Sequence, residues 1–159
     1  MSDDTHAGHT AGSRSLNALA LSATLHCLTG CAIGEVLGMV LATWWGWSEV
    51  ASIALAVVLA FFFGYLLTSV PLLRAGMSVR QAAPLALASD TASIGTMEII
   101  DNLFIVIIPG ALAAGLGDAI FWWSLAVGLL IAGVVAYPLN RWLISRGRGH
   151  AVMHGHHGH

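Results

Sequence analysis

The sequence predicts an all-α, polytopic membrane protein built as a bundle of four transmembrane helices. Of its 159 residues, 57% are hydrophobic and only 9% are charged, and the mean hydropathy is +0.81. Soluble domains contain about 25% charged residues, so this composition is typical of integral membrane proteins. Four apolar segments each exceed the roughly 18–20 residues that a spanning helix requires. They are Leu16–Thr43, Val50–Leu73, Gln81–Ile108 and Ala119–Leu143.

Polar tails flank the apolar region, and we predict three parts in the chain. Residues 1–15 are expected to form a disordered, histidine-containing N-terminal tail. Residues 16–145 form the four-helix transmembrane domain, and residues 146–159 form a histidine-rich C-terminal tail. Short polar termini without apolar periodicity are seldom tied down in a fold, which is why we expect both tails to be mobile.

The arginines indicate an orientation for the four predicted spans. Because basic residues are retained on the cytoplasmic side, we expect both termini to be cytoplasmic. All six arginines then fall on that side: Arg14, Arg74, Arg80, Arg141, Arg146 and Arg148. Five of the six tryptophans mark the opposite interface: Trp44, Trp45, Trp47, Trp122 and Trp123. The net charge of −2 gives no support for a nucleic-acid partner, and membrane lipid is the expected surrounding.

A parallel repeat of two-span units is one interpretation of the chain. Pro71-Leu-Leu-Arg74 ends the second apolar segment, and Pro138-Leu-Asn-Arg141 ends the fourth. The same offset aligns Cys31 with Glu98. Parallel repeats place equivalent helices in equivalent positions, so the first and third segments would correspond. Chance similarity between apolar helices is the other interpretation.

Ionisable and sulfur-containing side chains concentrate in the first and third apolar segments. An acid inside the membrane costs about 2.5–3.5 kcal/mol on insertion scales, so we expect these groups to face other helices rather than lipid. At roughly 100° per residue, Cys27, Cys31 and Glu35 share one face of the first helix, whereas His26 points away from it. With about 1.5 Å of rise per residue, the groups form polar tiers between two parallel helices instead of one four-ligand site.

These residue types predict metal or proton chemistry. Thiolates and thioethers favour Cu(I), imidazole suits copper and zinc, and carboxylates accept cations or protons. We predict a set of metal ligands consisting of His26, Cys27, Cys31, Met97 and Glu98. We predict an ion or proton pathway through Glu35, Asp90, Asp101 and Asn102. The alternative is that the sulfur side chains only fill space and the acids only anchor helix–helix hydrogen bonds.

Three glycines spaced by four residues predict a helix-packing surface. Gly30, Gly34 and Gly38 form a ridge of small residues that allows another helix to approach closely. Four spans enclose little space around a pathway, so we consider a homo-oligomer in which this ridge is one candidate interface. Packing inside a single bundle is the alternative.

Most of the histidines lie in the two tails. The N-terminal tail contains His6 and His9, and the C-terminal tail contains His150, His154, His156, His157 and His159. Short histidine-rich tracts are typical of metal binding, so we predict that the C-terminal group captures metal ions. A purification tag is the alternative interpretation.

Three stretches of the chain carry a resemblance to a known family. They are the run His26-Cys-Leu-Thr-Gly-Cys-Ala-Ile-Gly-Glu35, the run Phe63-Gly-Tyr-Leu-Leu67 and the polar positions from Asp90 to Asn102. Over about residues 20–152 the chain resembles a bacterial membrane family catalogued as a domain of unknown function. The resemblance implies a compact four-helix domain in the bacterial inner membrane. Members are sometimes labelled copper oxidases, which raises the expectation of copper, but the resemblance supplies no established activity.

The leading functional prediction is a membrane protein that handles metal, with copper as the expected ion, for transport or for delivery to a metalloprotein or redox-complex partner. The runner-up is a proton- or cation-conducting channel or transporter subunit that uses the same carboxylates. A haem or redox subunit is a third possibility, in which His26 serves as an axial ligand. An accessory assembly subunit is the fourth. An oxidase acting alone is not indicated, because one intramembrane histidine is too few for ordinary oxidase copper sites.

Overall fold

The chain forms four helices joined by short loops. A computed structural model describes the backbone of residues 4–146 and the side chains of residues 15–146. The helices are α1 (Asp4–Trp45), α2 (Glu49–Arg74), α3 (Val79–Ile107) and α4 (Ala119–Ser145). No strand occurs within this described part, and the all-α prediction is confirmed.

Three of the four helices are long and apolar enough to cross a membrane. They are the Ser15–Trp45 part of α1, all of α2 and all of α4. The fourth predicted span, in α3, does not meet this criterion of length and composition and stays a prediction. The 29-residue α3 is long enough, but three acids, Asp90, Glu98 and Asp101, interrupt its apolar sequence.

Helix α1 begins earlier than the apolar pattern does. We predicted residues 1–15 to be a tail, but α1 starts at Asp4. Adding a residue to an existing helix is much easier than nucleating one, so a polar extension needs no apolar partner of its own. The side chains of His6 and His9, and all of residues 147–159, lie outside the described part of the chain. The predictions for the histidine-rich tails remain predictions.

Local sequence signals set the boundaries between helices. Gly46 and Gly76 have φ angles of 66° and 90°, and this left-handed backbone ends α1 and α2 at little cost because glycine has no side chain. Before α3, the backbone N–H of Ser78 donates to Oε1 of Gln81 over 3.1 Å. This satisfies a donor that the first turn of a helix leaves unpaired.

Helix α1 contacts all three other helices and has its most extensive contact with α2. The glycine ridge makes this contact. A Cβ on Gly30 would lie 2.7 Å from Cα of Gly64, and a Cβ on Gly38 would lie 2.6 Å from Cα of Ala56. Gly34 similarly abuts the backbone of Ala60. Because α2 of the same chain covers the ridge, these glycines are not available as an interface between copies.

The centre of the bundle is a buried cluster contributed by all four helices. It contains Cys27, Cys31, Ala60, Ile94, Met97, Ala132 and Ala136. Ile94 and Met97 are its largest members, and both are completely buried. Helices α1 and α3 contact each other within this cluster. Their packing there positions the polar side chains described next.

Candidate functional site

Side chains of α1 and α3 meet in three successive tiers. We refer to Cys27, Cys31 and Glu35 of α1, together with Asp90, Ser93, Glu98 and Asp101 of α3, as the polar column. Spacing of three or four residues keeps the α1 members on one face, and α3 presents its members at matching heights. Between tiers the column rises about 6 Å, since four residues of helix span that distance.

The first tier lies nearest the end of the bundle where α2 and α4 terminate. The Cys27 thiol lies close to the carboxyl group of Asp90 and to the hydroxyl group of Ser93. The hydroxyl group of Ser89 donates a hydrogen bond to Oδ1 of Asp90 over 2.8 Å. All four of these side chains are buried, so the tier places a thiol and a carboxyl group together away from solvent.

The second tier joins Cys31 to Glu98. The thiol and the carboxyl group are in contact, and Cys31 also lies near Cys27 of the tier before it. The side-chain amide of Asn102 donates to the backbone oxygen of Glu98 over 2.9 Å and reaches its Oε2 at 3.5 Å. Asn102 therefore holds Glu98 from the next turn of α3.

The third tier brings two carboxyl groups together. Glu35 of α1 and Asp101 of α3 are neighbours, and Glu98 is close to both of them. Asp101 is 0% exposed and rests on Gly128 of α4, where a Cβ would lie 3.0 Å from its Cγ atom. The absence of a side chain at Gly128 therefore makes room for the acid.

The carboxyl groups of the column are buried with few compensating partners. Five oxygens have no well-formed hydrogen bond among the described residues: both of Glu35, both of Asp101 and Oε1 of Glu98. An unpartnered buried polar group costs about 1–3 kcal/mol, and an uncompensated buried charge costs more. Neighbouring acids under these conditions cannot all ionise unless cations bind beside them, and otherwise some of them must keep or share a proton. The arrangement is therefore suited to exchanging protons or cations.

His26 lies outside the column. Its Nε2 atom is 3.3 Å from the carbonyl oxygen of Leu67 in α2, and it donates to that oxygen when the proton is on Nε2. The ring lines a shallow groove with Ser22 and Thr29. Helical geometry predicts that His26 points away from the Cys27–Glu35 face, and the ring has this orientation in the structure.

The predicted metal ligands are only partly brought together. Cys27, Cys31 and Met97 share the central cluster, and Glu98 touches Cys31, but His26 faces α2. Within the described residues, no three His, Cys, Asp or Glu side chains form a group that could hold a metal ion. The predicted pathway residues do lie together. Glu35, Asp90 and Asp101 all belong to the column, and Asn102 contacts Glu98 within it.

A cavity connects the third tier with the tryptophan-rich end of the bundle, where the α1–α2 and α3–α4 loops lie. Its volume is about 220 Å³. Glu35 and Asn102 line it from within the bundle, and Trp47 and Glu49 line it near the loops. The last tier therefore adjoins a space that opens at this end.

Sequence reasoning did not identify Gly128 or the cavity. Gly128 could have been noticed because a glycine within an apolar helix indicates close approach of another helix, and it lies at a depth similar to that of Asp101. The cavity could not be found in this way because the α3–α4 loop forms part of its wall. A buried hydrogen bond from the Asn140 amide to the Thr24 hydroxyl, 2.9 Å long, was also missed.

Comparisons with known proteins place the chain in a family. The family model described as a domain of unknown function, DUF4396, matches residues 17–149. The match includes every member of the polar column. Neither a curated protein nor a solved structure matches the chain. Because the family model covers most of the sequence, the chain belongs to the DUF4396 family.

Proposed function

We propose that this protein is a membrane-embedded carrier of protons in which the polar column relays protons between the two ends of the bundle. One observation carries the proposal: the carboxyl groups of Glu35, Glu98 and Asp101 are buried side by side, and five of their oxygens have no well-formed hydrogen bond among the described residues. Intramembrane acids that face the interior of a bundle are typical of proton relays.

The order of groups supports a stepwise path. From the tryptophan-rich end, a proton would reach Glu35 through the cavity and then pass to Asp101 and Glu98. Asp90 lies eight residues from Glu98, about 12 Å along α3. Cys31, Cys27 and Ser93 occupy this interval and offer thiol and hydroxyl groups through which a proton can continue.

The proposal includes a membrane topology of four spans. Helix α3 would cross the membrane beside the three more apolar helices because its acids face α1 and α4 rather than lipid. The positions of the arginines support a topology with both termini in the cytoplasm of a bacterial cell, and the cavity would then open on the outer side. The parallel repeat proposed from the sequence aligns Cys31 with Glu98, and contact between these two residues supports a two-fold relation between its two-helix units.

Reconstitution tests the relay directly. Purified protein in potassium-loaded liposomes would be given valinomycin to set the membrane potential, and an entrapped pH-sensitive dye would report proton uptake. We expect the wild type to conduct and Glu98→Gln to lose at least about ten-fold in rate, since glutamine cannot accept and release a proton. Asp118→Asn is the matched control, because this acid is exposed in the α3–α4 loop and only accepts a bond from the Gly115 N–H.

Copper handling is the second candidate function. The observation in its favour is that Cys27, Cys31 and Met97 lie together in one buried cluster. Two thiolates and a thioether form a soft ligand set that suits Cu(I), and protons released by the thiols would enter the column. We rank this candidate below the proton relay because it leaves the Glu35–Asp101 tier without a role.

A further inference from the structure

The cavity at the tryptophan-rich end has features that proton transfer does not require. A proton path needs only a hydrogen-bonded chain of polar groups or water molecules. The cavity is wider than such a chain requires, with a volume of about 220 Å³. All four helices and the α3–α4 loop contribute to its wall. Pockets for drug-sized ligands measure roughly 300–1,000 Å³, so a smaller molecule would fit here.

The ionisable groups described in the cavity wall are all acidic. Glu35 and Glu49 are its only ionisable residues within the described part of the chain, and neither arginine nor histidine lines it. Glu35 is 7% exposed, and neither of its carboxyl oxygens makes a well-formed hydrogen bond among the described residues. A buried carboxylate is stabilised strongly by a cation that enters its site.

The remaining wall is mainly apolar, and this limits the kind of cation. Met39, Ile53, Phe121 and Leu125 contribute side chains to it. A bare Ca²⁺ or Mg²⁺ ion needs about six or more oxygen ligands, and an apolar wall does not supply them. An organic ammonium ion instead places its carbon body against apolar side chains and its charge near a carboxylate. Trp47 at the exposed rim adds an aromatic face of the kind that attracts ammonium groups.

We propose that this cavity is a binding site for a small organic ammonium ion, with Glu35 as its counter-ion. The site goes beyond the proton relay and does not depend on it, since the ligand reaches the cavity from the tryptophan-rich end without passing along the column. Glu49 at the rim gives incoming cations a second negative charge.

Calorimetric titration of the full-length protein in detergent tests this site. The probe is benzylammonium, and benzyl alcohol serves as a neutral molecule of similar shape. We expect benzylammonium to bind at least about ten-fold more tightly than the alcohol, a difference of about 1.4 kcal/mol. Glu35→Gln is expected to remove this preference, and Asp118→Asn is expected to keep it because Asp118 does not line the cavity. Equal binding of the two probes, or an unchanged preference in Glu35→Gln, would overturn the proposal.

Two further variants keep the test decisive. Ala113→Trp adds bulk at an exposed lining position of the α3–α4 loop, so it should block benzylammonium without disturbing the helix contacts. Unchanged binding in this variant would place the ligand elsewhere and refute the site. Glu98 does not line the cavity, so Glu98→Gln should still bind benzylammonium. The two proposals can fail separately: if the wild-type protein bound benzylammonium but carried no protons in liposomes, the relay would be refuted and the ammonium site would stand.

Discussion

Glu35 of α1 and Asp101 of α3 bring two carboxyl groups into contact inside the bundle, and no basic side chain of the described residues 15–146 interacts with the pair. Two unit charges roughly 4 Å apart repel by about 4 kcal/mol at the effective dielectric of a protein. A protein built only for stability would avoid such a pair, since each buried acid also loses its hydration. The pair is retained at some cost, which is typical of residues with a functional role.

We expect Asp101→Asn to stabilise the protein in detergent. The amide has nearly the same shape as the carboxyl group, it carries no charge, and it can donate a hydrogen bond to Glu35. The free energy of unfolding should rise by about 1–3 kcal/mol, the cost of an unsatisfied buried polar group. Thermal unfolding of both proteins measures this, and Asp118→Asn provides an exposed comparison. A lower melting temperature for Asp101→Asn would contradict this prediction, because it would show that the Asp101 carboxyl group stabilises the folded protein.

Gly128→Ala should destabilise the bundle because the added methyl group would collide with the carboxyl group of Asp101. Overpacking of this kind costs about 1–3 kcal/mol. Gly95→Ala is the matched control, since its new Cβ would meet only the Phe61 Cζ atom at an ordinary 3.8 Å. This control should be neutral or stabilising by up to about 1 kcal/mol, as alanine is favoured in a helix. If the two glycines respond alike, Asp101 does not rest on Gly128.

Gly34→Ala tests the contact between α1 and α2. Its Cβ would lie 2.7 Å from the backbone carbonyl carbon of Leu59, and backbone atoms in a helix cannot move aside as a side chain can. We expect a larger loss of stability than in Gly128→Ala, at or above the upper end of the roughly 1–3 kcal/mol range. Light scattering should give the same oligomeric mass before and after the change. A changed mass at unchanged stability would show that the ridge joins separate chains.

Copper binding can be measured against a matched variant. Full-length protein and Cys27→Ser/Cys31→Ser would be loaded with Cu(I), washed and analysed for bound copper. The histidine-rich tails are identical in the two proteins, so the difference reports the buried thiols alone. The copper candidate predicts that the variant loses one ion per chain or per pair of chains. Equal copper content in the two proteins would remove this candidate and leave the proton relay.

Much of the bundle could be predicted from the sequence because long apolar segments of helical length are easily recognised. The four predicted segments lie within α1 to α4 apart from one residue, as Ile108 lies just beyond the end of α3. Helical geometry also placed Cys27, Cys31 and Glu35 on one face and His26 on another. These inferences need only the residues of one helix, and for that reason they were accessible without a structure.

Features that depend on two elements were not accessible in the same way. The sequence does not state which helix a glycine faces, so Gly128 could not be matched with Asp101, and the glycine ridge of α1 could not be assigned to α2. The predicted metal ligands included His26 because imidazole suits copper and zinc, although helical geometry already pointed it away from the Cys27–Glu35 face. Adjacent helical residues point about 100° apart, and His26 instead faces the Leu67 carbonyl group.

Proton uptake by Glu98→Gln in potassium-loaded liposomes with valinomycin tests the central claim most directly. Glu98 stands between the Glu35–Asp101 pair and the thiols, so every proton that follows the column must pass it. The account predicts a loss of at least about ten-fold in the rate. Adding Asp101→Asn to this variant should cause little further loss, because both residues act in one series. Wild-type rates in Glu98→Gln, with the protein folded and inserted, would contradict the relay.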